Sequence, residues 1–394
     1  APVHVRWHLG AMASGAVGAC TLGAGDDVTG TSTIDDLAHA VYVAGKLDFV
    51  DGGDGAWVAI VGPKSFEPSS AFQWTKTTFG LVRAAVDPDT GPEPFSFFFV
   101  AEPGLGATTD DAAFGRSFAT WFDAGRTLDD PLKITVAHAL LHRVFGAKVR
   151  LADEGGGEAA WFSEGFSVHY ARKILFASKR ISAEAFLDDV KRHEGDHDSA
   201  ADAWAHDAAR RSHASFTRGA LYAATLDAAV RHATKGARSL DDLVKELVAR
   251  AEQRRNPMLP AGALRELAVR EAGAAAGEEF DRVIVRGEDA QPPSDAFGPC
   301  FERVPRELRV FDLGFDRAAL DGFPGPVRGV EKDSAAERAG LRDGAFVTSA
   351  KVPPPDQKNA KVELTIQERK GTRRIRYKPE ARRTESVWQV TRCR

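Results

Sequence analysis

The spacing of apolar and polar positions changes twice along the chain. Up to about residue 130, apolar residues come in short runs separated by Gly, Pro and Asp turns. Val41-Tyr42-Val43, Ala56-Trp57-Val58-Ala59-Ile60-Val61 and Phe95-Ser96-Phe97-Phe98-Phe99-Val100 read as strands. The last is apolar almost throughout, the pattern of a strand covered on both faces. Gly52-Gly53-Asp54-Gly55 reads as a turn. From Asp130 the period becomes helical. Residues 132–145 predict a helix with few polar positions, hence mostly buried. Helices over 161–177, 183–191, 215–232, 239–253 and 261–272 follow, with Ser239 as an N-cap ahead of Asp241 and Asp242. At Gln291-Pro292-Pro293-Ser294 the composition shifts again. Beyond it lie β runs at 308–315, 326–330, 345–350, 361–367 and 373–377, with one short helix at 334–339. The pattern predicts an α+β chain in three parts: a β-rich 1–130, a helical 131–290 and a β-domain over 297–394.

Composition adds mainly exclusions. The 394 residues are 43% hydrophobic and 27% charged, ordinary for a globular protein, and the net charge of −4 favours neither nucleic acid nor an anionic membrane. No apolar run reaches the roughly 18 residues of a membrane span. The chain opens at Ala1 without a charged, apolar leader, which reads as a removed signal peptide or a trimmed chain. Cys20, Cys300 and Cys393 form no CxxC pair, so a cysteine zinc site is not expected. Cys300 and Cys393 could staple the ends of the last part, with three unpaired thiols as the alternative, and a periplasmic or secreted location is the accompanying expectation.

Chemistry enters at His138-Ala139-Leu140-Leu141-His142. Histidines four apart on a helix share one face and can share a metal. Taken alone, such a pair could equally serve as two hydrogen-bonded core histidines. Trp161-Phe162-Ser163-Glu164-Gly165 adds a carboxylate early on the next helix. Two histidines and one glutamate leave a fourth zinc position open, the arrangement of a catalytic site.

The stretch from Trp161 through Glu164, Gly165 and Phe166 to Tyr170 resembles the W-x-x-E-G-F-T-x-Y-Y segment of the glycyl aminopeptidase family of zinc metallopeptidases, which are gluzincins. Thr217-Arg218-Gly219-Ala220-Leu221, Ser239-Leu240-Asp241-Asp242-Leu243 and Phe280-Asp281-Arg282-Val283-Ile284-Val285-Arg286-Gly287 resemble later segments of that family. The similarity runs from about Asp35 to Glu288. It implies a thermolysin-like catalytic domain, a small mixed sheet plus a helical bundle, followed by a PDZ-like domain. It implies zinc held by His138, His142 and Glu164, and a short or fragmentary member lacking most of the N-terminal β-domain. The segment Gly104-Leu105-Gly106-Ala107-Thr108-Thr109 is by resemblance a substrate-binding stretch on an edge strand, and Arg218 is a further candidate substrate contact; a plain loop is the alternative for the former.

Two positions depart from the family. Its general-base glutamate falls at Ala139, by natural decay or by an engineered exchange. Its oxyanion tyrosine falls at Phe216, with His213, Arg218 and Tyr222 as candidate replacements. The resemblance therefore implies an aminopeptidase-like enzyme, inactive as written. The alternative is a pseudo-peptidase that acts as a peptide-binding scaffold through its cleft and the groove of the PDZ-like domain. His193, His197, His206 and His213 mark a polar stretch, read as a solvated loop in preference to a second metal site. In the last part, Asp312-Leu313-Gly314-Phe315-Asp316 and residues 333–344 resemble PDZ segments. They imply a peptide carboxylate held by the amides after Leu313, with Leu313, Gly314 and Phe315 as ligand contacts. Ala345 and the Pro353-Pro354-Pro355 turn depart from that pattern.

Overall fold

The computed structural model describes residues 1–394 except 89–93, 107, 108, 115, 116, 154, 203–207, 355, 356, 358, 393 and 394; residues 35, 109, 194–202, 208–215, 321 and 385 are described by their backbone alone. It is a mixed α/β chain that divides into two units, residues 1–302 with 390–394, and residues 303–389.

The first unit opens with β1 (Pro2–Arg6), β2 (Val17–Cys20), β3 (Gly23–Ala24), β4 (Asp27–Thr31), the short helix α1 (Ile34–Ala38) and β5 (Tyr42–Gly45). β1 pairs with β4, and β2 pairs with both β3 and β5. Then come β6 (Leu47–Asp51), β7 (Trp57–Val61), helix α2 (Pro68–Val86), β8 (Ser96–Glu102), β9 (Thr109–Phe114) and β10 (Ser117–Asp123). These five strands form one sheet in the order β6-β7-β8-β10-β9, with β7, β8 and β10 parallel and the two edges antiparallel. β8 is buried on both faces, as its unbroken apolar run predicts. Phe97 and Phe99 lie on one side with Phe118, while Phe98 packs on the other against Trp57, Ala19 and Ala119.

The region before residue 130 is not only β-rich. The 19-residue α2 joins the parallel strands β7 and β8, and buries Ala71, Phe72, Thr75, Thr78, Phe79, Val82 and Val86. Its apolar stripe is diluted by five Thr and Ser residues of middling helix propensity, which hid it from a periodicity reading. A parallel pair requires such a crossover, so the sheet order makes the helix necessary.

The helices after the sheet are α3 (Asp130–Leu141), α4 (Ala160–Ala177), α5 (Ala183–Asp202), α6 (Ala208–Ala233), α7 (Leu240–Arg254), α8 (Gly262–Ala272) and α9 (Ala274–Phe280); β11 (Arg150–Ala152) and β12 (Met258–Pro260) pair in parallel. Asp129 caps α3, its carboxylate accepting the Leu132 amide at 2.9 Å. Ser239 and Asp242 form a full capping box on α7. α3 stops at Leu141 instead of continuing to Phe145. The His142 amide donates to the Ala139 carbonyl, three residues back, and the chain turns through Gly146 at φ +111°. α5 runs on to Asp202, so His193 and His197 stand on a helix instead of in a loop. α4 and α6 cross at two glycines: a Cβ on Gly165 would lie 2.6 Å from the Gly219 Cα, and one on Gly219 only 1.8 Å from the Trp161 carbonyl oxygen. The unit reaches past Pro292-Pro293 because Phe297 and Phe301 pack on Phe186, with Phe301 also touching Phe176. Cys300 is disulfide-bonded and Cys20 is a free, buried thiol; Cys393 lies outside the described residues.

The second unit uses β13 (Phe301–Phe311) paired with β18 (Glu380–Val390), and a four-stranded sheet of β14 (Gly325–Pro326), β15 (Phe346–Lys351), β16 (Val362–Glu368) and β17 (Gly371–Tyr377). Helix α10 (Ala335–Arg338) closes a core built on Leu313, Phe315, Val347, Leu364 and Ile375. Among the described residues, no helix is long and apolar enough to cross a membrane.

Candidate metal centre and cleft

The C-terminal half of α3 faces a cleft of about 1380 Å³ in the first unit. The apolar positions Val136, Ala137, Leu140 and Leu141 turn into the core, which leaves His138 and His142 on the cleft side. Glu164 reaches the same point from the first turns of α4. Its Oε2 lies 3.2 Å from His138 Nε2 and 3.3 Å from His142 Nε2.

These distances have a simple meaning. Zinc bonds of about 2.0–2.1 Å at tetrahedral angles set neighbouring ligand atoms about 3.3–3.4 Å apart. Glu164 Oε2 therefore stands at that spacing from each of the two histidine nitrogens. The outer ring nitrogens agree. His138 Nδ1 is 3.1 Å from Asp111 Oδ1, and His142 Nδ1 is 3.1 Å from the Phe145 carbonyl. A carbonyl can only accept, and so can an ionised carboxylate, so each Nδ1 carries a proton, and each Nε2 would present a lone pair to a cation that took the place of any proton there. Both Nε2 atoms and a carboxylate thus meet at one point. His138 Nε2 is buried and has no aligned hydrogen-bond partner, despite the nearby Glu164 oxygen.

Electrostatics repeat the point. Burial alone would depress the pKa of His138, but the Asp111 and Glu164 carboxylates outweigh it and hold that pKa well above the ordinary histidine value. Burial would raise the Glu164 pKa, yet the two histidines beside it pull it far below the usual carboxylate range. A divalent cation among these groups would supply the same favourable charge. Asp111, His138 and His142 also offer atoms within 4.8 Å of one another. A cation held by Glu164 and both histidines would lie on the Nε2 side, since Asp111 meets the opposite edge of the His138 ring.

The remaining candidates scatter. Ala139 has no exposed surface and is not part of the cleft wall. Phe216 does line the cleft, one helical turn before the Gly165–Gly219 crossing. Tyr222 is buried between Trp161 and Phe280 with an unpartnered hydroxyl, and Arg218 lies beside Gly287; neither lines the cleft. The side chain of His213, like that of His197, and all of His206 lie outside the described residues. Gly104 and Gly106 both donate their amides to Asp123 Oδ2, at 3.1 and 3.0 Å, in a turn ahead of the edge strand. Ala107 and Thr108 are outside the described residues. The edge strand itself is β9, whose Asp110, Asp111, Ala112, Ala113 and Phe114 line the cleft. In the second unit the Leu313 and Phe315 side chains are core, and the Gly314 amide is taken by Asp312 Oδ1 at 2.7 Å.

Sequence reasoning passed over two groups. One is Asp111, which only a pair of acids inside an otherwise small and apolar strand could have signalled. The other is Asp189 with Arg192 on α5, which line the cleft beside His193, a residue read as part of a solvated loop. Asp189 is buried against Arg172 of α4 at 3.2 Å and also binds Arg192.

No family model and no curated protein matches the sequence. Among solved structures, the chain is similar to an aminopeptidase N family protein from Idiomarina loihiensis. The TM-score is 0.66 at 12% identity, covering 99% of this chain and 77% of that one. The two chains share a fold. Native yeast LTA4 hydrolase aligns at TM-score 0.47 and 13% identity over 64% of this chain and 41% of that one. The yeast enzyme in complex with bestatin aligns at 0.43 and 12% over 65% and 41%. Neither yeast alignment carries weight here.

Proposed function

We propose that the chain is a gluzincin-type zinc peptidase, built on a thermolysin-like region and a PDZ-like β-unit, that binds zinc and peptides but hydrolyses peptides poorly. The observation that carries this reading is the approach of Glu164 Oε2 to both His138 Nε2 and His142 Nε2, at the spacing of neighbouring zinc ligands, in a cleft. The aminopeptidase-type fold supports it. Zinc, when bound, supplies a Lewis acid that polarises a carbonyl and acidifies water. The chain's own residues do the rest. His138, His142 and Glu164 hold the ion, while Asp111 and the Phe145 carbonyl fix the two imidazoles. The exposed edge of β9 offers backbone groups to a peptide laid beside it. Hydrolysis then needs a base for the attacking water and a donor for the developing oxyanion. Ala139 and Phe216 supply neither, and loss of the base alone removes about 10²–10⁴-fold of rate.

The same two positions favour a second reading. The groups that would act on substrate are gone while those that hold the metal remain, as in a pseudo-peptidase kept for binding. In either case we assign peptide binding to the cleft instead of the 303–389 unit, where Asp312 already occupies the Gly314 amide. The disulfide at Cys300 supports a periplasmic or secreted location. Elemental analysis tests the shared premise. One zinc per chain is expected, and protein that neither carries zinc nor takes it up would sink both readings.

A further inference from the structure

Asp111 is the one described residue that touches the proposed metal centre and belongs to the cleft-lining edge strand. Its carboxylate is 3.1 Å from His138 Nδ1, and both side chains are largely buried, at 13% and 15% exposure. Its backbone is in register with Thr120 of β10. It comes from a strand 27 residues away in sequence, not from the helices that supply the ligands. Charge makes the contact more than incidental. A divalent cation among two neutral histidines and Glu164 retains one positive charge, and Asp111 cancels it on the far side of the His138 ring. A cation on Nε2 keeps Nδ1–H a strong donor at every pH where the ion is bound, so the Asp111 bond is held in the loaded site.

We propose that Asp111 is a positioning residue that couples the metal centre to β9, so that zinc binding orders the cleft's edge strand and β9 in turn holds the zinc. This rests on the metal-centre reading above. A peptide added to β9 would then meet an edge already fixed, with less ordering to supply on binding.

The test uses zinc alone on the full chain. Zinc affinity is measured by chelator competition, and amide exchange of β9 is followed with and without zinc. Asp111→Ala is expected to weaken zinc by about 10- to 100-fold. Asp111→Asn, whose amide oxygen still accepts the Nδ1 proton, should recover part of that loss. In the parent, zinc should slow exchange of the β9 amides bonded to β10 by about fivefold or more. Exchange in β7 should be unchanged, and the β9 effect should vanish in Asp111→Ala. Equal zinc affinity in Asp111→Ala, or equal zinc-dependent protection of β9, overturns the proposal. So does a metal-free Asp111→Ala protein that melts lower by as much as the loaded one, since that marks a merely structural role. A cobalt-loaded Asp111→Ala protein with the visible spectrum of a different ligand set would make Asp111 a ligand and also overturn it. If the parent takes up no zinc, the metal-centre reading fails first and takes this inference with it.

Discussion

Gly219→Ala probes the joint between packing and site. A Cβ at 219 would lie 1.8 Å from the Trp161 carbonyl oxygen, and 2.7 Å from its carbon. Carbon–oxygen contacts settle near about 3.3 Å, so α4 and α6 must separate by about 1.5 Å. Both obstructing atoms are backbone, so no side chain can swing aside. Overpacking of this kind costs about 1–3 kcal/mol, and sometimes more. Trp161 lies three residues before Glu164 on the same helix, so the displacement is carried to the metal centre. Ligand atoms there tolerate only about 0.2 Å. Zinc affinity should therefore fall by more than the roughly 10- to 100-fold that losing an outer-shell partner costs. Gly165→Ala, facing the Gly219 Cα at 2.6 Å, should act in the same direction. Gly80→Ala is the control. It sits within α2 with nothing inside 4 Å of its Cβ, and should stabilise by about 0.5–1 kcal/mol. Thermal melts and chelator competition on the three variants decide the matter. A Gly219→Ala protein that melts with the parent and keeps its zinc would refute the close α4–α6 crossing.

Ala139→Glu should gain at least about 10²-fold in peptide hydrolysis, although residue 139 has no exposed surface and the new side chain must open its own path to the cleft. Adding Phe216→Tyr should contribute further, up to about 3 kcal/mol of transition-state stabilisation; if the double variant with saturating zinc cleaves nothing in a mixed peptide library, the scaffold reading takes over. Asp189→Ala strips the buried Arg172 guanidinium of its carboxylate and should cost about 3–5 kcal/mol in denaturant melts. Asp189→Leu with Arg172→Met should recover much of that loss, and failure to do so would mean that packing, not charge, dominates. His169 is buried with both ring nitrogens unpartnered; burial, helped by Lys173 and Arg172, holds its pKa well below the usual 6.5. Its neutral form is thus favoured by folding, so stability is full above pH 6.5 and falls as pH drops below it, by at most about 1.4 kcal/mol per pH unit. Melts at pH 7.5 and 5.5 should show this loss in the parent and less of it in His169→Phe, and parallel losses would count against it.

What was legible in the sequence is what depends on near neighbours. The His138–His142 spacing, the cap at Ser239 and the apolar run of β8 each follow from contacts within a few residues, which a period or a local hydrogen bond expresses directly. Glu164 was reached through a local segment as well, though its meeting with the histidines depends on how α4 lies across α3. The rest needed the tertiary structure. α2 carries a weak local pattern and is required by the parallel pairing of β7 with β8. Asp111 meets His138 only because the register of β9 on β10 delivers it there, and no spacing rule spans that separation. The fates of Tyr222, Arg218, Leu313 and Phe315 were likewise undecided by residue type, since a side chain that could touch a substrate can equally fill a core. Which it does depends on the direction its backbone points after packing, and that direction is a property of the whole fold.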